Sequence, residues 1–96
     1  MKITIIYDNT TLKPEFKADW GFSCLVETKN KNKILFDTGA NGRILLFNMR
    51  KLNIDPISID EIFISHAHFD HTGGLSEFLN INKKVIVYVP PSFHGF

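Results

Sequence analysis

The chain has 96 residues with eleven basic and ten acidic side chains, and 44% of its residues are hydrophobic. This length allows one domain with a modest core. The near-zero net charge gives no indication of a nucleic-acid or membrane surface. The chain has a single cysteine, Cys24, which excludes an internal disulfide or a thiolate metal cluster and fits a reducing compartment. We interpret Cys24 as a small buried strand residue.

The first half of the chain predicts three strands followed by a helix. From their β-branched, aromatic and periodic apolar residues, strands are predicted over 3–7, 22–27 and 34–36 and a helix over 42–52. Residues 12–20 show no clear period and predict an irregular loop, and the polar stretch 29–33 predicts a solvent-exposed hairpin turn. The N-terminal run has no small-residue cleavage site, so we expect a first strand rather than a signal peptide, and cytoplasmic residence.

The second half predicts a short strand over 61–64, a short helix over 74–79 and a buried strand over 85–89 that Pro90 and Pro91 end. The order βββαβαβ predicts an α/β fold, a mixed β-sheet with helices on one face.

Metal-ligating residue types are concentrated directly after the strand at 61–64. His66, His68, Asp70 and His71 occupy four of six consecutive positions. Three imidazoles around a carboxylate are costly to desolvate unless a cation binds them. Residues two apart at a strand end point the same way, so His66 and His68 suit one ion. Asp70 and His71 are adjacent and suit a second position on a turn.

Two ions about 3.5–4 Å apart can share a hydroxide and polarise a carbonyl or phosphoryl oxygen, which is hydrolase chemistry. Imidazole and carboxylate ligands accept zinc, iron or manganese. Gly73 and Gly74, which follow the motif, are explained equally well by a simple turn and by close approach of backbone to the site.

The motif from His66 to His71, together with the preceding apolar strand and the upstream Phe36-Asp37-Thr38-Gly39, resembles the metallo-β-lactamase superfamily. The residues Tyr7-Asp8-Asn9 and Trp20-Gly21-Phe22-Ser23 and the His-Thr-Gly-Gly continuation resemble more narrowly its dihydropterin ribofuranosyl-aminobenzene phosphate synthase-like metallo-hydrolases. On the narrower resemblance Asp8 and Asn9 lie near the site, although a strand-end turn explains them as well.

The resemblance implies a role for each residue of the motif. His66 and His68 would hold the first metal, Asp70 and His71 the second, and Asp70 would also be catalytic by orienting the attacking hydroxide. Asp37 would orient a ligand histidine through its other ring nitrogen. A helix cap is the alternative interpretation of Asp37.

The resemblance covers only the N-terminal half of the αββα metallo-β-lactamase sandwich, so residues 1–96 are interpreted as a single partial domain. A catalytic zinc typically has three protein ligands, and the motif supplies about two for each metal. His94 is expected to be a tail residue rather than a missing ligand. Because the chain ends soon after a buried-looking strand, we expect a truncated or split chain. Its open sheet face predicts self-association or a complementing C-terminal chain.

Two functions from different classes follow. The first is a metal-dependent hydrolase that uses a metal-bound hydroxide on a small-molecule substrate, with zinc, or iron or manganese instead, and up to two ions if the site is completed. The alternative is a non-catalytic remnant or interaction module that binds metal weakly or not at all. A redox di-iron relative is disfavoured because such proteins usually have a carboxylate where His68 stands. No nucleic-acid or membrane partner is expected.

Overall fold

The computed structural model describes residues 1–8, 21–66 and 68–91. The elements in this part of the chain are β1 (Lys2–Tyr7), β2 (Ser23–Glu27), β3 (Lys33–Phe36), α1 (Gly42–Lys51), a 3-10 turn (Pro56–Ser58), β4 (Glu61–Phe63), α2 (Phe69–Thr72), α3 (Leu75–Ile81) and β5 (Ile86–Tyr88). The predicted loop over 12–20, Asn9 and His94 lie outside the described residues.

The strands form one mixed sheet in the order β1-β2-β3-β4-β5. β1, β2 and β3 pair antiparallel, whereas β3, β4 and β5 pair parallel. The predicted hairpin turn joins β2 to β3, where the Lys31 amide donates to the Thr28 carbonyl at 3.0 Å. The parallel strands are joined through helices, as parallel pairing requires. The predicted fold class, a mixed sheet with helices, is confirmed.

One face of the sheet carries the core. Cross-strand pairing places Leu25, Leu35 and Ile62 side by side, and all three are almost fully buried. Leu45 and Met49 of α1, with Leu75 and Phe78 of α3, complete the buried cluster. The helices therefore cover this face, and burying their apolar sides against the sheet is the main favourable contribution to folding.

The opposite face of the sheet is apolar and open among the described residues. Its two cross-strand rows are Ile5-Cys24-Phe36-Phe63-Tyr88 and Ile3-Val26-Ile34-Glu61-Ile86. The Phe63 ring stacks on those of Phe36 and Tyr88, with ring centroids 6.4 and 4.6 Å apart. Glu61 is the one charged member, and its carboxylate accepts hydrogen bonds from Asn32 Nδ2 at 3.1 Å and Tyr88 OH at 3.0 Å. We call these ten residues the open face.

Two expectations from the sequence were incomplete. The strand at 85–89 was predicted to be buried, but Ile86 and Tyr88 are 54% and 42% exposed. Both residues lie on the open face of an edge strand, whereas Val85 and Val87 pack against the core. The motif itself was not expected to form a helix, yet Phe69–Thr72 makes the single turn α2.

Asn41 caps the N-terminus of helix α1, because its side-chain oxygen accepts from the Arg43 and Ile44 amides at 2.9 and 3.2 Å. An N-cap of this kind satisfies amides that have no partner within the helix. The cap interpretation of Asp37 is therefore wrong for this helix. Within the described ranges, no helix is long and apolar enough to cross a membrane.

Candidate metal centre

The candidate centre lies at the edge of the sheet where the parallel strands β3 and β4 end. Asp37 follows β3, and Ser65 and His66 follow β4. The Asp37 amide donates to the Phe63 carbonyl at 2.8 Å, which continues the pairing of the two strands by one residue. Asp37 has a φ of 60°, a left-handed conformation that aspartate tolerates better than most residues. The chain therefore turns sharply here.

The Asp37 carboxylate is buried and its oxygens are already engaged. Its residue is 2% exposed. Oδ1 accepts from the Ser65 amide at 2.7 Å, and Oδ2 accepts from Ser65 Oγ at 2.6 Å and contacts His71 Nδ1 at 2.8 Å. Since these three contacts use both oxygens, the geometry favours an orienting carboxylate over a direct metal ligand.

The structure brings two of the predicted ligand histidines together. The ring centroids of His66 and His71 are 4.6 Å apart, and ligand atoms of Asp37, His66 and His71 all lie within 4.8 Å of one another. His68 lies outside this group, with its ring centroid 6.0 Å from that of His66. Asp70 is also outside it, but its Oδ2 lies 3.5 Å from His71 Nε2. The metal roles of these residues stay predictions.

The backbone around His71 is fixed by the turn after β3. Thr38 donates to the His71 carbonyl from its amide at 2.8 Å and from its hydroxyl at 2.9 Å. The Gly74 amide donates to the Gly39 carbonyl at 3.1 Å, and a Cβ at Gly74 would collide with the Thr38 carbonyl. Close backbone approach, rather than a simple turn, therefore explains Gly74.

A second glycine is required for a different reason. Gly39 has a φ of +69°, and a Cβ there would lie 2.5 Å from the Tyr7 ring. The Tyr7 hydroxyl in turn accepts from the Asn41 amide at 3.1 Å. Strand β1 thus supports the loop that carries Asp37, which links the packing of the core to the geometry of the centre.

Three contributors to the centre had no role assigned from the sequence. Thr38 and Tyr7 lie in segments that carry the family resemblance, but they act through backbone and long-range contacts that no local pattern signals. Ser65 could have been noticed, because a hydroxyl directly before His66 is able to contact its neighbour's ring.

Cys24 lies close enough to the centre to be affected by its charge. Burial and, to a lesser extent, the negative charge of Asp37 raise the pKa of the Cys24 thiol. A thiol with a raised pKa stays protonated at neutral pH and is a poor metal ligand and nucleophile. The donors of the candidate centre are therefore imidazole nitrogens and carboxylate oxygens, a set that suits zinc, iron or manganese.

Comparison with known proteins identifies the family. Residues 21–95 match the model of the metallo-beta-lactamase superfamily. The chain belongs to this superfamily. Its members share this fold and divalent-metal chemistry, and the histidines that the structure brings together beside Asp37 are His66 and His71.

Relatives and solved structures agree with this assignment. The chain is 42% identical over 93 residues to 7,8-dihydropterin-6-methyl-4-(beta-D-ribofuranosyl)-aminobenzene-5'-phosphate synthase of Methanocaldococcus jannaschii, covering 93% of this chain and 32% of that protein. It is 38% identical over 63 residues to ribonuclease Z of Nanoarchaeum equitans, covering 59% of this chain and 19% of the relative.

Among solved structures, the crystal structure of Tm1679, a metal-dependent hydrolase of the beta-lactamase superfamily, superposes with a TM-score of 0.63 at 40% identity. That match covers 76% of this chain and 25% of the other. The chain thus spans about a third or less of the length of these proteins. The superposition accordingly matches this chain to part of the family's fold.

Proposed function

We propose that this chain is the N-terminal, metal-binding portion of a metal-dependent hydrolase. The observation that carries the proposal is the buried Asp37 carboxylate, 2.8 Å from His71 Nδ1, with the His66 ring beside it in a chain that belongs to the metallo-beta-lactamase superfamily. A buried carboxylate that holds the far nitrogen of a histidine is the arrangement by which proteins orient metal ligands.

On this proposal His66 and His68 would hold one cation, and Asp70 and His71 a second. Zinc is the proposed ion, with iron or manganese as alternatives. When bound, such a cation lowers the pKa of a water molecule and polarises a carbonyl or phosphoryl oxygen. The donor set fits this chemistry because His71 Nε2 and Asp70 Oδ2 lie 3.5 Å apart, a nitrogen and an oxygen donor side by side.

Three residues of the chain, Asp37, Thr38 and Asp70, would then have separate roles. Asp37 fixes the ring of His71, and Thr38 fixes its backbone. Asp70 is 31% exposed at its side chain, so it can reach an incoming water, accept its hydrogen bond and direct it at the substrate. The proposed substrate is a small-molecule ester, amide, thioester or phosphoester.

We also propose that the open face is covered by a complementing polypeptide, which brings further metal ligands. The open face is an apolar layer whose only charged residue, Glu61, is already hydrogen-bonded. A different chain is favoured over a second copy because about two thirds of the length of the 42% identical relative has no counterpart in this chain. Parallel strands are normally covered on both faces, so a second layer stabilises the sheet.

Cytoplasmic residence belongs to the same proposal. A lone cysteine with a protonated thiol fits a reducing compartment.

Native mass spectrometry of the purified chain with added zinc tests these statements together. We expect bound zinc, lost in His66→Ala and retained in Asp55→Asn, a matched change at an exposed cap that asparagine fills equally well. We expect a heteromeric complex when the remaining two thirds of the relative's length is supplied as a separate chain. A stable homodimer instead would show that a second copy of the chain, rather than a complementing chain, covers the open face.

Hydrolysis is then measured on the assembled complex with p-nitrophenyl esters and bis-p-nitrophenyl phosphate. Asp70→Asn should remove most turnover without unfolding the protein, and undiminished turnover would contradict its role. A metal-free monomer that neither assembles nor hydrolyses these esters would favour the alternative, a non-catalytic remnant or interaction module.

A further inference from the structure

Ser65 occupies a position between the buried carboxylate and the first histidine of the motif. Its amide donates to Asp37 Oδ1 at 2.7 Å. Its hydroxyl lies 2.6 Å from Asp37 Oδ2 and 2.7 Å from His66 Nδ1. The side chain of Ser65 thus bridges Asp37 and His66 while its backbone anchors the same carboxylate.

The directions of these hydrogen bonds follow from the number of protons available. A carboxylate can only accept, and a serine hydroxyl has one proton to give. Ser65 therefore donates to Asp37, and its oxygen can only accept from His66. The ring nitrogen that faces it, His66 Nδ1, must carry a proton.

The same carboxylate imposes the same tautomer on the other histidine. His71 Nδ1 lies 2.8 Å from Asp37 Oδ2, so it also carries the proton. The continuous chain is His66 Nδ1–H to Ser65 Oγ–H to Asp37, met from the other side by His71 Nδ1–H. In its neutral form each of the two histidines therefore has its single ring proton on Nδ1, and its Nε2 is left able to bind a metal.

We propose that Ser65 is a positioning residue that fixes the tautomer of His66, so that one buried carboxylate prepares two histidines for metal. Asp37 acts on His71 directly and on His66 through the serine hydroxyl. The predicted effect of Ser65 on metal affinity rests on the proposed function, whereas the predicted tautomers do not rest on it. Without the hydroxyl, His66 is free to place its proton on Nε2, which blocks the nitrogen needed for coordination.

The test is ¹⁵N NMR of the metal-free chain, recorded at a pH at which the ring-nitrogen chemical shifts show both imidazoles to be neutral. Two-bond proton–nitrogen correlations identify which ring nitrogen carries the proton. We expect Nδ1–H for His66 and His71 in the unmodified chain. A proton on Nε2 of His66 would overturn the proposal, and this measurement requires no variant to fold.

Three variants separate the hydroxyl from the rest of the site. Ser65→Ala should release the His66 tautomer while that of His71 is kept, and Ser65→Thr, which retains a hydroxyl, should restore it. Ser76→Ala, at an exposed position of α3, is the control. If His66 remains fully Nδ1–H in Ser65→Ala, the hydroxyl does not set its tautomer and the proposal is wrong.

Zinc affinity gives the second measurement, by competition with a chromophoric chelator. Removing a residue that orients a ligand typically costs about 10–100-fold in affinity, and we expect a loss near the lower end for Ser65→Ala, with recovery in Ser65→Thr. If the tautomers are as expected but the unmodified chain binds no zinc, the proposed function fails while the role of Ser65 stands. If zinc binds and Ser65→Ala leaves the affinity unchanged, the positioning role toward metal is refuted.

Discussion

Replacing Asp37 with asparagine is the sharpest single perturbation of the candidate centre. The variant keeps the volume of a residue that is 2% exposed, so it creates no cavity. Its one remaining acceptor oxygen can still receive the Ser65 amide, which lies 2.7 Å from Oδ1. The new amide nitrogen then faces His71 Nδ1 across 2.8 Å, and two donors cannot share that contact. His71 must therefore move, or carry its proton on Nε2.

The magnitudes follow from this rearrangement. A hydrogen bond to a charged group contributes about 1.5–3 kcal/mol, so we expect the free energy of unfolding to fall by about that amount, measured by urea denaturation. With Nε2 of His71 protonated, zinc affinity should fall about 10–100-fold, equivalent to about 1.4–2.8 kcal/mol. Asp55→Asn, an exposed cap, should change neither quantity appreciably. Zinc affinity within about twofold of the unmodified chain would refute the orienting role of Asp37.

Three further predictions concern the loop, the thiol and the open face. Gly39→Ala places a methyl group 2.5 Å from the Tyr7 ring at a φ of +69°, so urea denaturation should show a loss of at least about 1–2 kcal/mol; an unchanged midpoint would contradict the packing. Because the pKa of the Cys24 thiol is raised in the folded chain, the protonated thiol favours the folded state. This contribution to the free energy of unfolding is present below the ordinary thiol pKa of about 8.5 and is lost as the pH rises through the folded pKa. Iodoacetamide should accordingly react with the native chain at higher pH than with the urea-unfolded chain, and coincident pH profiles would refute this. Phe63→Lys should reduce binding of a complementing chain in size-exclusion chromatography without unfolding the core, whereas undiminished binding would show that the partner uses another surface.

The sequence was sufficient for the elements that depend on local patterns. Alternation and β-branched residues located the strands, and helical spacing located α1. The predicted burial of β5 was wrong for Ile86 and Tyr88, because an apolar run does not reveal which face of the sheet is covered or which strand lies at the edge. The turn α2 was not predicted, because residues 69–72 show a pattern of metal-ligating side chains rather than a helical period.

The candidate centre was predictable in composition but not in its connections. The residue types at 66, 68, 70 and 71 identify the chemistry, and Asp37 was expected to contact a histidine. Which histidine it contacts depends on the parallel pairing of β3 with β4, a long-range feature. Ser65 and Thr38 carry out their roles through short hydroxyl contacts that exist only after that pairing has formed.

The candidate centre and the open face lie at the same edge of the sheet. Phe36 and Phe63 lie on the open face at the ends of β3 and β4, and Asp37 follows the first of them directly. A polypeptide layer that covers these rings therefore also reaches the edge of the sheet where His66 and His71 lie. The Glu61 carboxylate, the one charge on the open face, accepts hydrogen bonds from Tyr88 OH and Asn32 Nδ2, which lowers the cost of covering it with an apolar layer. If a complementing chain covers the open face as proposed, it would also supply metal ligands at this edge, and its assembly should raise zinc affinity and thermal stability together.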